Sequence, residues 1–545
     1  MKICFIWIEN YRNFKNFGLN LSSNLHFEYD PEKHKISTIE KSPLPDNFFG
    51  DGVTDVTGLL GKNSSGKTNC LELICMALKF GKSRLKSKFI IVTEDSNKFE
   101  CYSNNFDQGP LFDIDVTQYQ YKNGINKVIP IYLSNINDDR EFFFHKSVRN
   151  LSIKSLSRER NSLFSTHLKF LNSDKYEHMN ISKPEMFEFK YMVSTSSISA
   201  FYNSYAIDQL PKNLEKYNDF EYSLKVMYLM YYLQIIFDNH QISEVKDNFK
   251  ELQSILFVDV DKPSPHYKLN ISPRNINDAL HSFSNAYRQS HEAIRFSTPF
   301  RHRPKHPSTI EEELRTISSR FFKDKMDSIS FSRRYSRSHF FTGDYNSYSN
   351  ELLLEIDRIF NIKAPFQVKW LGISSGHQAY LNIFSLIYNE VYRSQNDLVI
   401  CIDEGDLYLH PEWQVDFFKE LTRILPNLSK GSVQLILTSH SPLLLSDLPS
   451  QSVRLFSPDR VDQLIESKTF GANIYELYSD LFFLKNQRTG SFSHEKIGYI
   501  LDKLSKNKLT ESDIQEISSL KPLIGDKVIS HAINIALKDK GVIIK

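Results

Sequence analysis

The sequence predicts an α/β fold in which a parallel core sheet, drawn from both ends of the chain, carries an antiparallel β lobe and a helical insertion. Three observations predict it. The octapeptide GKNSSGKT, Gly61 to Thr68, follows the apolar-leaning run Val53 to Leu60 and precedes the helical pattern NCLELICMALKF. The stretch from about residue 365 alternates helical patterns with the apolar strands LVICID and VQLILTSH, as a parallel sheet covered on both faces requires. The middle of the chain reads instead as amphipathic helices separated by Pro/Asn/Ser-rich breaks.

A chain of 545 residues has length for two to four domains. Its 40% hydrophobic and 24% charged content is that of an ordinary globular protein. A net charge of +2 implies no polyanion partner for the chain as a whole, so only local patches bear on that question. The five cysteines, Cys4, Cys70, Cys75, Cys101 and Cys401, include no CxxC pair and read as small buried apolar residues in a reducing, cytoplasmic setting. The opening MKICFIWIENYRNF lacks the apolar run of a signal peptide, and no segment reaches the length of a membrane span, so no membrane association is expected.

Residues 1–140 are expected to form the first part of the core with its β lobe. KICFIWIE is a strand and NYRNFKNFGLNLS a turn and second strand; KFIIVTED, KFECYSN, VTQYQY and VIPIYLSN follow as short strands of one antiparallel sheet. Residues 141–364 are the helical insertion, with helices in EYSLKVMYLMYYLQIIFDN, VKDNFKELQSILF, NDALHSFSNAYRQSHEAIRF and TIEEELRTISSRFFKDKMDSI. No heptad pattern persists there, which argues against a long coiled-coil arm. Residues 365–465 complete the core: a helix from His377, LVICID, the helix PEWQVDFFKELTRIL, VQLILTSH and a strand near SVRLFS. Residues 466–545 form a mostly helical tail, expected to serve partner or assembly contacts.

The octapeptide has the spacing of a phosphate-binding loop. Gly61 and Gly66 let the backbone approach a polyphosphate, and Lys62, Asn63, Ser64, Ser65 and Asn69 complete the cradle. Lys67 reaches the β- and γ-phosphates, and the Thr68 hydroxyl serves Mg²⁺. The helix that follows turns its positive end to the same phosphates. These residues imply a nucleotide-binding protein that uses Mg²⁺. At the end of the strand LVICID, Asp403 is placed to hold the metal through water, and Glu404 to orient or deprotonate an attacking water. His440, ending QLILTSH, is read either as a γ-phosphate sensor that shares a proton with that water or as a satisfied core histidine. Ser374-Ser375-Gly376 opens a helix with apolar residues Tyr380, Ile383, Phe384, Ile387 and Val391 at helical spacing. It is either a cap and turn or a second anion site, which one chain does not need for the same nucleotide but a second copy could supply in trans.

GKNSSGKT, ISSGHQ, LVICIDEGDLYLHP and LILTSHSP, in that order, resemble the ABC-type ATPase heads of the SMC, RecF and OLD group, and IENYRNFKNFGLNLS resembles their first strand and turn. The resemblance implies an SMC-head-like ATPase that closes head to head with two ATP molecules between subunits. Ser374 and Gly376 would then meet the γ-phosphate held by the other subunit. Asp406 would lie in the loop crossing the seam, Arg12 near the phosphates, and Ser134-Asn135 at the position of the group's Q-loop. The motifs cover about the first 135 and last 180 residues. His377 departs from the Gln or Glu usual at its position, and the insertion is far shorter than an SMC arm. The wording DEGDLYLHP and TSHSP is similar to the OLD-like branch, and the tail TFGANIYELYSDLFFLKNQRTGSFSHEKI to the Septu-type, retron-associated anti-phage defence ATPases. No DxD cluster follows His440, so a nuclease site of the Toprim kind is not expected in this chain. The resemblance implies a separate HNH-type nuclease partner, and a retron reverse transcriptase with its DNA–RNA as a further one.

RFSTPFRHRPKH (295–306) and RFFKDKMDSISFSRRYSRSHFF (320–341) interleave cations with aromatics. They read as solvated faces or as a grip on phosphate backbones. The functional readings from sequence are therefore a regulatory ATPase controlling a nuclease, and a RecF- or SMC-like ATPase acting directly on DNA. A transporter ATPase subunit fits the large insertion poorly.

Overall fold

The computed structural model describes the chain except for residues 62–63, 137–141, 153–161, 178, 180, 192–219, 240–242, 260–266, 270, 298–304, 320–331, 334–339, 361–365, 393, 426–427, 457–460, 464–466, 481–488, 507 and 543–545. Strands from both ends of the sequence form one seven-stranded sheet. Its order is Arg149–Asn150, Val128–Ser134, Asp397–Asp403, Val433–Thr438, Val53–Gly61, Val453–Phe456, Val461–Gln463. All neighbours are parallel except the last pair. The register sets Ser134 beside Asp403, Asp403 beside Thr438 and Thr438 beside Leu59, so the chemistry-bearing strand ends share one edge.

This sheet is apolar on both faces because both are covered. Along Asp397–Asp403, Leu398, Ile400 and Ile402 enter one core, while Val399 and Cys401 enter another. The first core also takes in the helices Ser375–Val391 and Pro411–Ile424 and the insertion. The second holds the helix Lys67–Leu78, through Cys70, Leu71 and Ile74, and the inner face of the β lobe. All five cysteines are buried, and none is in a disulfide.

The β lobe is a five-stranded sheet, Phe14–Asn20, Lys2–Tyr11, Phe89–Asp95, Lys98–Asn104, Val116–Gln120, antiparallel except for its last pair. VIPIYLSN does not belong to it. That strand, Val128–Ser134, pairs in parallel with the carboxylate strand in the core sheet. The reason is legible in its side chains: nearly every position is buried, with no exposed alternate face, which is the pattern of an interior parallel strand. A three-stranded sheet, Leu25–Asp30, Lys35–Glu40 and Leu111–Phe112, covers the lobe's outer core.

The insertion contains the expected helices at Phe220–Asn239, Ile276–Ser297 and Pro307–Ile317, and VKDNFKELQSILF divides into Ser243–Asn248 and Lys250–Leu256. It also holds strands that the helical reading lacks. Met186–Tyr191 pairs with Phe340–Asp344 and with Phe366–Leu371, in a four-stranded sheet that ties the insertion to the core. Phe187 and Phe189 are fully buried on its inner face. The sheet joins segments far apart in sequence, so periodicity within any one of them is short and weak. Most of the first basic patch and nearly all of the second lie outside the described residues. In the tail, Ser491–Ser505, Glu511–Leu520 and Lys527–Asp539 pack around Ile500, Leu504, Ile517, Ile533 and Leu537.

Candidate functional site

Gly61 ends its strand and Lys67 opens the following helix, so the phosphate loop spans a strand-to-helix turn. Lys62 and Asn63 lie outside the described residues. Ser64 and Gly66 take left-handed φ values of 63° and 101°, a local reversal that gathers backbone N–H groups into an anion-binding concavity. Gly66 needs its missing side chain twice over. A Cβ there would sit 2.6 Å from Asn13 Nδ2 and 2.9 Å from Phe14 Cζ, on a backbone that L-residues disfavour. At Gly61 a Cβ would fall 2.2 Å from the carbonyl oxygen of Phe456. The Ser65 hydroxyl is buried with no hydrogen-bond partner among the described residues, an orphan that phosphate oxygens would satisfy.

The first and last parts of the chain meet at Thr68 and Asp403, whose Oγ1 and Oδ1 are 3.3 Å apart. Asp403 is almost wholly buried. Its Oδ1 also accepts from Thr438 Oγ1 at 2.6 Å, and its Oδ2 accepts from the Tyr132 hydroxyl at 3.1 Å. Burial pushes its carboxyl above the usual aspartate range, and these three hydroxyl donors oppose the shift. Two hard oxygen donors at this spacing, one on a carboxylate whose charge burial disfavours, fit Mg²⁺. Thr68 and Asp403 would hold the ion, whose charge would polarise phosphate oxygens.

Lys67 Nζ donates to the Gly61 carbonyl at 3.0 Å and meets His440 Nε2 at 2.9 Å. His440 Nε2 is in turn 3.4 Å from Glu404 Oε1. The contact with His440 is the first cause holding the Glu404 carboxyl below its ordinary range; the charges of His440 and Lys67 add to it. Burial lowers the Lys67 ammonium, and the charges of Glu404 and Asp403 oppose that. Glu404 has a left-handed φ of 48°, a strained conformation for a side-chain-bearing residue. Its N–H is held by Thr438 Oγ1 at 2.9 Å.

Ser374 caps the helix Ser375–Val391, accepting from the His377 N–H at 3.1 Å. Ser374 and Ser375 are exposed, whereas Gly376 is buried, and a Cβ on it would approach the Tyr408 carbonyl to 2.8 Å. Asn135 donates its side-chain amide to the Ala379 carbonyl of that helix at 3.2 Å. His377 stands edge-on to Trp413 with its ring buried. Asp406 is buried, accepting from Ser439 Oγ, and the exposed residues of its turn are Leu407 and Tyr408. Arg12 reaches Asn69 Oδ1 at 3.0 Å and Glu72 at 2.7 Å, and so lies on the first turns of the loop helix.

The structure thus gathers Gly61, Ser64, Ser65, Gly66, Lys67, Thr68, Asp403, Glu404 and His440 at one edge of the parallel sheet. Sequence reasoning missed Thr438 and Tyr132, both bonded to Asp403. A hydroxyl closing the apolar run Leu435-Ile436-Leu437 was the available signal for the first; nothing marked Tyr132 among ordinary strand tyrosines.

A parallel sheet in which an interior strand enters a glycine-rich anion cradle, with a carboxylate pair on a nearby strand end, defines a P-loop nucleotide-binding protein. The chain belongs to the AAA ATPase domain family, whose model matches residues 1–445. It is similar to the Retron Vc95 probable ATPase of Vibrio cholerae serotype O1 biovar El Tor, 37% identical over 104 residues, which is 18% of this chain and 19% of that one. It is also similar to the Septu protein PtuA of Bacillus mycoides (strain KBAB4), 24% identical over 202 residues, 31% of this chain and 28% of that protein. The matched segments therefore span less than a third of either relative. Among the described residues, no helix is long and apolar enough to cross a membrane.

Proposed function

We propose that the chain is an ATP-binding and ATP-hydrolysing regulatory subunit of a bacterial anti-phage defence system. Its ATP state governs a separate HNH-type nuclease through head-to-head pairing of two ATPase cores. The observation that carries the ATPase part is the contact between Thr68 and Asp403, which joins the phosphate loop to the carboxylate strand at 3.3 Å. Lys67 and the loop N–H groups bind the triphosphate, Thr68 and Asp403 hold Mg²⁺, and Glu404 orients the attacking water. An incoming γ-phosphate competes with His440 for Lys67, so His440 is placed to register its presence. Similarity to the retron and Septu ATPases supports the defence setting. The exposed pair Ser374 and Ser375, on a helix N-terminus, supports pairing: a second copy can approach them, and the helix end attracts a γ-phosphate.

The test is purification of the chain co-expressed with the gene products encoded beside it. Co-elution with a His-containing nuclease whose DNA cleavage changes with ATP supports the proposal. Isolation of the chain alone, with salt-sensitive DNA binding of its own, favours direct action on DNA instead.

A further inference from the structure

One hydroxyl in the site contacts both carboxylate residues. Thr438 Oγ1 lies 2.6 Å from Asp403 Oδ1 and 2.9 Å from the Glu404 nitrogen. A threonine hydroxyl has a single proton. The Glu404 N–H can only donate, so Thr438 accepts from it and gives its own proton to Asp403. Tyr132, fully buried, donates to the second oxygen, Oδ2, at 3.1 Å. The Asp403 carboxylate is therefore pinned at both oxygens from the two strands that flank its own: Val433–Thr438 on one side and Val128–Ser134 on the other.

We infer that Thr438 and Tyr132 are positioning residues for the ATP–Mg²⁺ site, with Thr438 setting the metal carboxylate of Asp403 and the strained backbone of Glu404 through one hydroxyl. This rests on the ATPase reading and extends it. Each acts through the residue it is bonded to, Asp403 or Glu404. Thr438 ends its strand two residues before His440, so the segment that leads into the histidine also holds the Asp403 carboxylate and the Glu404 backbone. Displacement of His440 would therefore be felt at both residues. A role confined to satisfying buried polar groups would change folding stability and leave the metal dependence of nucleotide binding intact. The two roles separate on that readout.

The experiment uses the full chain as wild type, Thr438→Val, Thr438→Ser and Tyr132→Phe. MANT-ATP affinity is measured in EDTA and in Mg²⁺, with phosphate release and a thermal melt alongside. The wild type is expected to bind more tightly with Mg²⁺. In Thr438→Val the ratio of the two affinities falls roughly tenfold or more, the scale of a hydrogen bond to a charged group, and turnover falls with it. Thr438→Ser restores most of both, because it keeps the hydroxyl. Tyr132→Phe lowers the ratio without the loss attached to Glu404, so its turnover falls less. A Thr438→Val chain with the wild-type ratio and turnover overturns the inference while leaving the ATPase reading in place. If Thr438→Val melts below the assay temperature, Tyr132→Phe decides: a reduced ratio supports the inference and an unchanged one overturns it. A wild-type chain that binds MANT-ATP in neither condition removes the ATPase reading, and this inference with it.

Discussion

Replacing Glu404 with glutamine separates chemistry from folding. The carboxylate faces His440 Nε2 at 3.4 Å, with 22% of the glutamate and 36% of the histidine side chain exposed. A contact this wet contributes about 0–1 kcal/mol. Glutamine preserves the side-chain volume, the N–H bond to Thr438 and the same left-handed backbone, and gives up besides only the attraction between the carboxylate and the Lys67 ammonium. The folded state should therefore weaken by about 1 kcal/mol or less. Turnover is a different matter. A positioned general base is worth roughly 10²- to 10⁴-fold, or about 3–5 kcal/mol of barrier. Phosphate release by Glu404→Gln should fall by at least about a hundredfold, while MANT-ATP binding persists and the melting temperature barely moves. Turnover within a few-fold of wild type would show that Glu404 is not the water-orienting group. A large drop in melting temperature would show that the contact with His440 matters to the fold more than its exposure allows.

Lys67→Ala should abolish MANT-ATP binding, since it removes the buried cation that joins Gly61, His440 and the γ-phosphate position; full-strength binding by the variant would defeat the loop assignment. Ser374→Arg, at an exposed helix cap, should leave each core folded and block ATP-driven pairing on a sizing column, and unaltered pairing would remove the contact in trans. Asp447 supplies a pH test. Burial first, and the charge of Asp416 second, push its carboxyl up to about 6. A carboxyl raised on folding is a liability in its charged form: the penalty is absent below the unfolded value of about 3.9, grows as pH rises to about 6, and is constant above. Discounted for its partial exposure, Asp447→Asn should gain about 1–2 kcal/mol at pH 8. That gain should vanish near pH 4, and melting curves that show an equal gain at both pH values would contradict the assignment.

The phosphate loop was legible because its function fixes residue types at fixed spacing: two glycines are forced by steric contacts and Lys67 and Thr68 by chemistry. The carboxylate strand was legible because an all-apolar run ending in Asp403-Glu404 is costly without a use for the charges. Val128–Ser134 was misplaced because a short apolar strand has no periodicity to say which sheet it joins; only its long-range pairing with Asp397–Asp403 decides that. The four-stranded sheet in the insertion went unseen for the same reason, with Phe187 and Phe189 giving too brief an alternation. Tyr132 and Thr438 act through hydrogen bonds across strands, a geometry that no local pattern encodes. Asp406, expected in the loop that crosses the seam between two heads, is buried and accepts from Ser439 Oγ, while Leu407 and Tyr408 of its turn stay exposed.

The most direct measurement is an experimental structure of Glu404→Gln with ATP and Mg²⁺. The triphosphate should lie along Gly61–Thr68, with the ion between Thr68 and Asp403 and Ser374 of a second copy against the γ-phosphate. A nucleotide bound away from this edge of the sheet, or an ion that ignores Asp403, would contradict the account at its root.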